Sequence, residues 1–110
     1  MAEVRKVLGQ SAPAAATLTD LYTVPASKEA VVSTVVACNR STAGIKIRIA
    51  VSPNGVADAN AHYLVRDVLI PGQDSKFFTV GITMDASDVL RVYADTANAS
   101  FNAFGAEIDV

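Results

Sequence analysis

The sequence offers few side chains that could perform acid–base or nucleophilic chemistry. His62 is the only histidine and Cys38 the only cysteine, so a catalytic triad or a thiol–imidazole pair would have to use one of them. No Gly-x-Ser-x-Gly motif accompanies His62, and Arg40 is the only nearby positive charge that could favour a Cys38 thiolate. We interpret His62 as a structural or surface histidine and Cys38 as a small buried apolar side chain.

Asp85 and Asp88 are the nearest approach to a carboxylate pair. Two acids that flank a turn could bind Ca²⁺, but the twelve-residue calcium-loop pattern is absent. Side-chain-to-backbone hydrogen bonds within a β-turn explain the pair more simply. The chain also lacks a glycine-rich phosphate loop and any His/Cys/Glu set at metal-ligand spacing. The sequence therefore predicts no catalytic residue, no cofactor and no metal, and an enzyme is the least favoured function.

The charge pattern argues against a nucleic-acid partner. The formal net charge is −2, and the nine basic residues are scattered from Arg5 to Arg91, whereas phosphate binding needs a concentrated basic face. The N-terminal residues are too polar for a signal peptide, and no window reaches the 18 apolar residues of a membrane helix. With a single cysteine, no internal disulfide can form. We expect no membrane partner and folding in a reducing cytoplasm.

The elements that must position these residues are short strands. Turn-forming clusters punctuate the chain at short intervals, and the segments between them are rich in Val, Ile, Thr, Phe and Tyr. The pattern predicts an all-β, single-domain β-sandwich of about eight antiparallel strands, with jelly-roll or immunoglobulin-like connectivity. The Cys…Trp…Cys pattern of true immunoglobulin domains is missing. The predicted strands are 4–9, 17–24, 30–38, 45–51, 62–70, 76–83, 89–94 and 99–108.

Two kinds of strand are expected. Ile45, Ile47, Ile49 and Val51 alternate with basic residues, which predicts one buried and one solvated face. Residues 31–38 are apolar or nearly so on both faces, and residues 77–80 share this character; such a strand lies between two layers, one of which can belong to another subunit. With 51% hydrophobic and 18% charged residues, we expect a partner to cover part of the surface.

The domain organisation follows from length and from one low-complexity piece. At 110 residues a single hydrophobic core is expected. Residues 11–16, Ser-Ala-Pro-Ala-Ala-Ala, would allow residues 1–10 to act as an arm that reaches a neighbour. We therefore divide the chain into an N-terminal arm or edge strand at 1–16 and a β-sandwich domain at 17–110. Asn54-Gly55 is a hairpin signal, although a longer loop with one helical turn is the alternative.

Eight segments of the chain have a familiar sequence: 8–13, 18–26, 31–39, 49–53, 62–64, 80–83, 89–93 and 101–108, among them LGQSAP, LTDLYTVPA and VLRVY. Together they span nearly the whole chain and resemble small virion proteins encoded by tailed bacteriophages. The resemblance implies a β-sandwich that is made in the cytoplasm of a bacterial host and that decorates capsids or sits on necks, tails and fibres in many copies. It carries no catalytic residues.

Two functions are therefore expected, both in the virion. The first is a capsid decoration (cement) protein that binds the major capsid lattice and its own copies as a homo-oligomer. The alternative is a tail-, neck- or fibre-associated module that binds a receptor or carbohydrate, with an exposed Tyr22 or Tyr63 beside Asn60 as the contact.

Overall fold

A computed structural model describes residues 2–110. In this part of the chain no helix is long and apolar enough to cross a membrane. Helical structure is confined to single turns at Pro53–Gly55 and Asn60–His62. The strands are β1 (Glu3–Ser11), β2 (Thr19–Thr23), β3 (Lys28–Asn39), β4 (Ile45–Ser52), β5 (Tyr63–Ile70), β6 (Ser75–Phe78), β7 (Ile82–Met84), β8 (Val89–Ala94) and β9 (Ala99–Asp109). The predicted all-β fold is confirmed.

The strands form two antiparallel sheets. Sheet A has the order β1-β9-β3-β6, with β7 also paired to β3, and sheet B has the order β2-β8-β4-β5. An immunoglobulin domain would place its first two strands side by side in one sheet. Here β1 pairs with β9 instead, and β2 lies in the opposite sheet. With β6 and β7 counted as one interrupted edge strand, this is the connectivity of an eight-stranded jelly roll, one of the two connectivities that the sequence left open.

The core lies between the inner faces of the sheets. Ile45, Ile47 and Ile49 on β4 are at most 1% exposed, and Phe101 on β9 is fully buried opposite them. The alternation from Ile45 to Ile49 follows from the period of two, which sends every second side chain to the core. Beyond Ile49, Ala50 and Ser52 are also buried and Val51 is half-buried. Lys46 is exposed on the other face, as the alternation predicted.

The predicted strand 76–83 is two strands. β6 pairs with the Val35–Cys38 end of β3, and β7 pairs with Ala30–Val32. Between these two parts β3 carries an irregularity at Ser33 in its pairing with β9. Residues 79–81 leave the sheet there, and Gly81 adopts a φ of 63°, a left-handed conformation that glycine takes without strain.

Residues 3–11, which the sequence left open as an arm or an edge strand, form edge strand β1. The strand is irregular between Val7 and Gly9, where it approaches sheet B. A Cβ atom on Gly9 would lie 2.1 Å from the backbone oxygen of Leu21 on β2. Only glycine allows this approach, so Gly9 closes the sandwich along its β1–β2 side.

Candidate functional site

The outer face of sheet A is largely apolar. Side chains directly opposite each other in an antiparallel ladder share a face, so the register identifies its members. We call this surface the apolar face; its apolar residues are Val7 on β1, Val31 and Val36 on β3, Phe77 on β6, and Phe104, Ala106 and Ile108 on β9. It includes the outer sides of residues 31–38 and 77, the strands predicted to be apolar on both faces.

Charge on the apolar face is confined to one end. Glu3, Arg5 and Glu29 lie in the rows that include Ile108 and Ala106, and Arg5 Nε lies 3.2 Å from Glu3 Oε1. At the other end, Gln10 Nε2 donates to Asn102 Oδ1 at 2.7 Å. The rows between these ends present uncharged side chains.

Phe77 protrudes from the uncharged end. Its side chain is 69% exposed, the largest value among the exposed large apolar residues of the described chain. It stands beside Val36 on the neighbouring strand, and the same row continues with Asn102 and Gln10. A phenyl ring this exposed beside a second apolar side chain is typical of an interaction surface rather than of a solvated sheet.

An open trough lies at the charged end of the same face. Its volume is about 500 Å³, and its walls include Arg5, Val31, Phe104, Ala106 and Ile108. The lining combines apolar side chains (Val31, Phe104, Ala106 and Ile108) with charged ones (Glu3, Arg5 and Lys6). Because Arg5 is paired with Glu3 and Lys6 with Glu107, the trough offers no unpaired charge to a ligand and suits an apolar side chain.

The outer face of sheet B has the opposite character. The Arg48 guanidinium lies 4.3 Å from the centre of the Tyr93 ring, and its Nε donates to Asp67 Oδ1 at 2.7 Å. This ion pair lowers the pKa of Asp67 and raises that of Arg48. The face carries paired charges, with Leu64 and Leu69 exposed on its edge strand β5. The apolar face has more apolar side chains, on four strands, and is the stronger candidate for a functional surface.

Arg91, on the same outer face, serves the structure. Its guanidinium donates to Asp20 Oδ1, to Ser52 Oγ and to the backbone oxygens of Gly55 and Val56, at 2.9 to 3.2 Å. Only 16% of its side chain is exposed. Arg91 therefore ties the turn at Pro53–Gly55 to sheet B. Asn54-Gly55 therefore lies in a longer loop and not in a two-residue hairpin, because β5 begins only at Tyr63; the loop has two helical turns where the sequence suggested one.

A buried polar cluster joins the sheets near the termini. Glu107 on β9 accepts a hydrogen bond from the Tyr22 hydroxyl at 2.6 Å, and its other oxygen lies 2.8 Å from Lys6 Nζ. The Lys6 ammonium and the Tyr22 hydroxyl lower the pKa of Glu107. Burial, and then the hydrogen bond to Glu107, raise the pKa of Tyr22. Every polar group here has a partner, which is a structural arrangement.

The residues considered for chemistry do not converge. His62 Nδ1 accepts a hydrogen bond from the Ala59 backbone N–H at 3.2 Å, which holds the helical turn before β5. The Asp88 carboxylate accepts from the backbone N–H groups of Asp85 and Asn54 at 2.9 and 3.0 Å. These are the side-chain-to-backbone bonds of a turn. Within residues 2–110 no three His, Cys, Asp or Glu side chains cluster as metal ligands would.

Tyr22 is only 8% exposed and faces the core, because the irregularity at Leu21 in the β2–β8 pairing shifts the alternation. It is therefore not the exposed aromatic that the alternative function would need. The expected burial of Cys38 was wrong. Cys38 is half-buried: it pairs with Ser100 on β9 and Ser75 on β6, which places it at the end of the apolar face.

Tyr63, the other tyrosine considered for carbohydrate contact, is also engaged. The Arg66 guanidinium lies 4.9 Å from its ring centre, and its hydroxyl donates to Asp58 Oδ2 at 3.2 Å. The ring face that would stack on a sugar is therefore shared with an arginine.

Sequence reasoning missed the contribution of β9 to the apolar face. Phe101 and Phe104 are three residues apart, and a period of two sends them to opposite faces of one strand. This odd spacing was the available signal. Phe101 is fully buried, whereas Phe104 is exposed beside Val7.

No protein-family model matches the chain, and no curated protein matches it significantly.

Proposed function

We propose that this protein is a structural component of a bacteriophage virion, a capsid decoration protein that binds the major capsid lattice and has no catalytic activity. The observation that carries the proposal is the apolar face, a sheet surface with Phe77 exposed at one end and an apolar trough at the other. Such a surface favours a partner protein over solvent. The assignment to a virion rests on the resemblance of segments 8–13, 18–26 and 31–39 to phage virion proteins.

The fold is compatible with this role. Two of the four sheet edges, formed by β2 and by β6 with β7, consist of strands of at most five residues. The other two edges, β1 and β5, have nine and eight residues. Short edges reduce uncontrolled strand pairing, which favours docking of a component present in many copies through a defined face.

The test is the copy number of the protein in purified phage particles, measured by quantitative mass spectrometry against the major capsid protein. A decoration protein is expected in a fixed, stoichiometric ratio to the shell subunit. A few copies per particle would instead support the alternative, a tail-, neck- or fibre-associated module. Absence from particles that carry the gene would overturn both.

A further inference from the structure

We propose that the apolar face is a two-fold self-association surface, in which Phe77 of each copy enters the trough of the other. The inference rests on the proposed function in one respect: it takes the same face as the contact surface and names a second copy of this chain as the occupant.

Phe77 cannot fill the trough of its own chain. Phe77 stands opposite Val36, and Ala106 in the trough stands opposite Val31, on the other side of β3. The five residue-to-residue steps from Val31 to Val36 span about 16 Å along the strand, and two strand spacings add about 10 Å across the sheet. Phe77 and Ala106 are therefore roughly 19 Å apart on one face.

A protruding ring and a hollow on one face make the surface self-complementary. A two-fold axis parallel to the face, perpendicular to the line from Phe77 to the trough and passing over its midpoint, places each phenyl ring over the partner's trough. One symmetry operation then forms two equivalent contacts, which is how isologous dimers close. The trough, about 500 Å³ and open to solvent, is larger than the ring.

The charges on the face permit this arrangement. Glu3, Arg5 and Glu29 lie at the trough end, and the two-fold axis brings that end against the partner's uncharged Phe77 end. Like charges therefore do not meet, and Arg5 keeps its pairing with Glu3. On the outer face of sheet B, by contrast, Arg48, Arg66 and Lys46 stand in neighbouring positions, where a second copy would add repulsion.

The area of the face is sufficient for a dimer. β9 has eleven residues and extends about 35 Å, and four strands side by side add about 19 Å. The face therefore presents roughly 650 Å² per copy, and specific interfaces begin at about 600 Å² per partner.

The first experiment is the molar mass of the wild-type protein by light scattering behind a sizing column, at tens of micromolar. We expect twice the monomer mass of 11.5 kDa. Phe77→Glu should give the monomer mass, whereas Leu69→Glu should leave the dimer intact. Leu69 is a matched control because it is 55% exposed and lies on sheet B. A monomeric wild type, a trimer or larger ring, or a dimer that survives Phe77→Glu would overturn the proposal.

A charge-pair rescue tests the contact itself. Ala106→Lys alone should give a monomer, because the lysine fills the trough, and the double variant Phe77→Glu, Ala106→Lys should recover the dimer through two intermolecular ion pairs. Circular dichroism of every variant checks that the fold is retained. A folded double variant that stays monomeric would refute the pairing of Phe77 with the trough.

Failure here is separable from failure of the proposed function. A monomer that is present stoichiometrically in particles would leave the virion role in place and assign the apolar face to another protein. A dimer that is absent from particles would support self-association through the apolar face and overturn the virion role.

Discussion

At the residue scale, Glu107 shows how a jelly roll accommodates a buried charge. It lies on the core side of β9, with 7% of its side chain exposed, and an unpaired carboxylate there would be strongly destabilising. Lys6 on β1 and Tyr22 on β2 supply its partners from different sheets. The cluster therefore couples the N-terminal strand to both layers.

We expect Glu107→Gln to lower the free energy of unfolding by about 1–2 kcal/mol at pH 7, measured by urea denaturation. The pKa of Glu107 is lowered in the folded state, so its stabilisation is complete above the unfolded value of about 4.3 and is lost as the pH falls through the folded value. The difference between wild type and variant should therefore shrink below about pH 4.3. Glu29→Gln, at an exposed carboxylate, serves as the control; an unchanged difference at acid pH would contradict this role.

At the element scale, β1 belongs to the sandwich. It pairs with β9 from Glu3 to Ser11, and its removal would uncover the backbone of β9, a long strand with apolar side chains on both faces. Such an edge invites aggregation. Deleting the predicted arm, residues 1–16, would therefore disturb the fold as well as any contact that the arm makes with a partner.

Deletion of residues 1–11 is expected to lower the melting temperature by at least 10 °C or to abolish soluble expression, since ladder hydrogen bonds and the Lys6–Glu107 pair are lost together. The control inserts Gly-Gly between Ala14 and Ala15, which are exposed in the connection to β2. This longer loop should cost well under 1 kcal/mol. A truncated chain that melts like the wild type would show that β1 contributes little to stability.

At the scale of the whole molecule, the outer faces of the two sheets differ in polarity. Sheet B presents paired charges such as Arg48–Asp67, whereas sheet A presents the apolar face. One side of the sandwich therefore suits solvent and the other suits a protein partner. The proposed dimer would bury the second and leave the first exposed.

Folding and association should be linked if the dimer forms. The unfolding midpoint of the wild type is then expected to rise by roughly 3 °C for each tenfold increase in protein concentration, followed by circular dichroism because the chain has no tryptophan. Phe77→Glu should show a midpoint independent of concentration. A concentration-independent wild type would contradict the linkage.

Most strand positions could be predicted from the sequence, because alternation and turn residues are local signals. Residues 45–51 and 89–94 were located nearly to the residue. The sequence was less informative where a β-irregularity intervened: it left the facing of Tyr22 open, and the predicted strand 76–83 is divided beside Ser33. One extra residue reverses the facing of all that follow, and composition does not reveal it.

The sequence by itself determined an all-β sandwich, with its core on β4 and β8 and with strands that are apolar on both faces. These properties depend on the order of side chains along one strand. Only the tertiary structure decided that Val7, Val31, Phe77 and Phe104 form one surface, because strands 3–11, 28–39, 75–78 and 99–109 are distant in sequence and become neighbours through the jelly-roll connectivity. It also decided the partners of Glu107, since a buried charge is satisfied by groups brought from other strands.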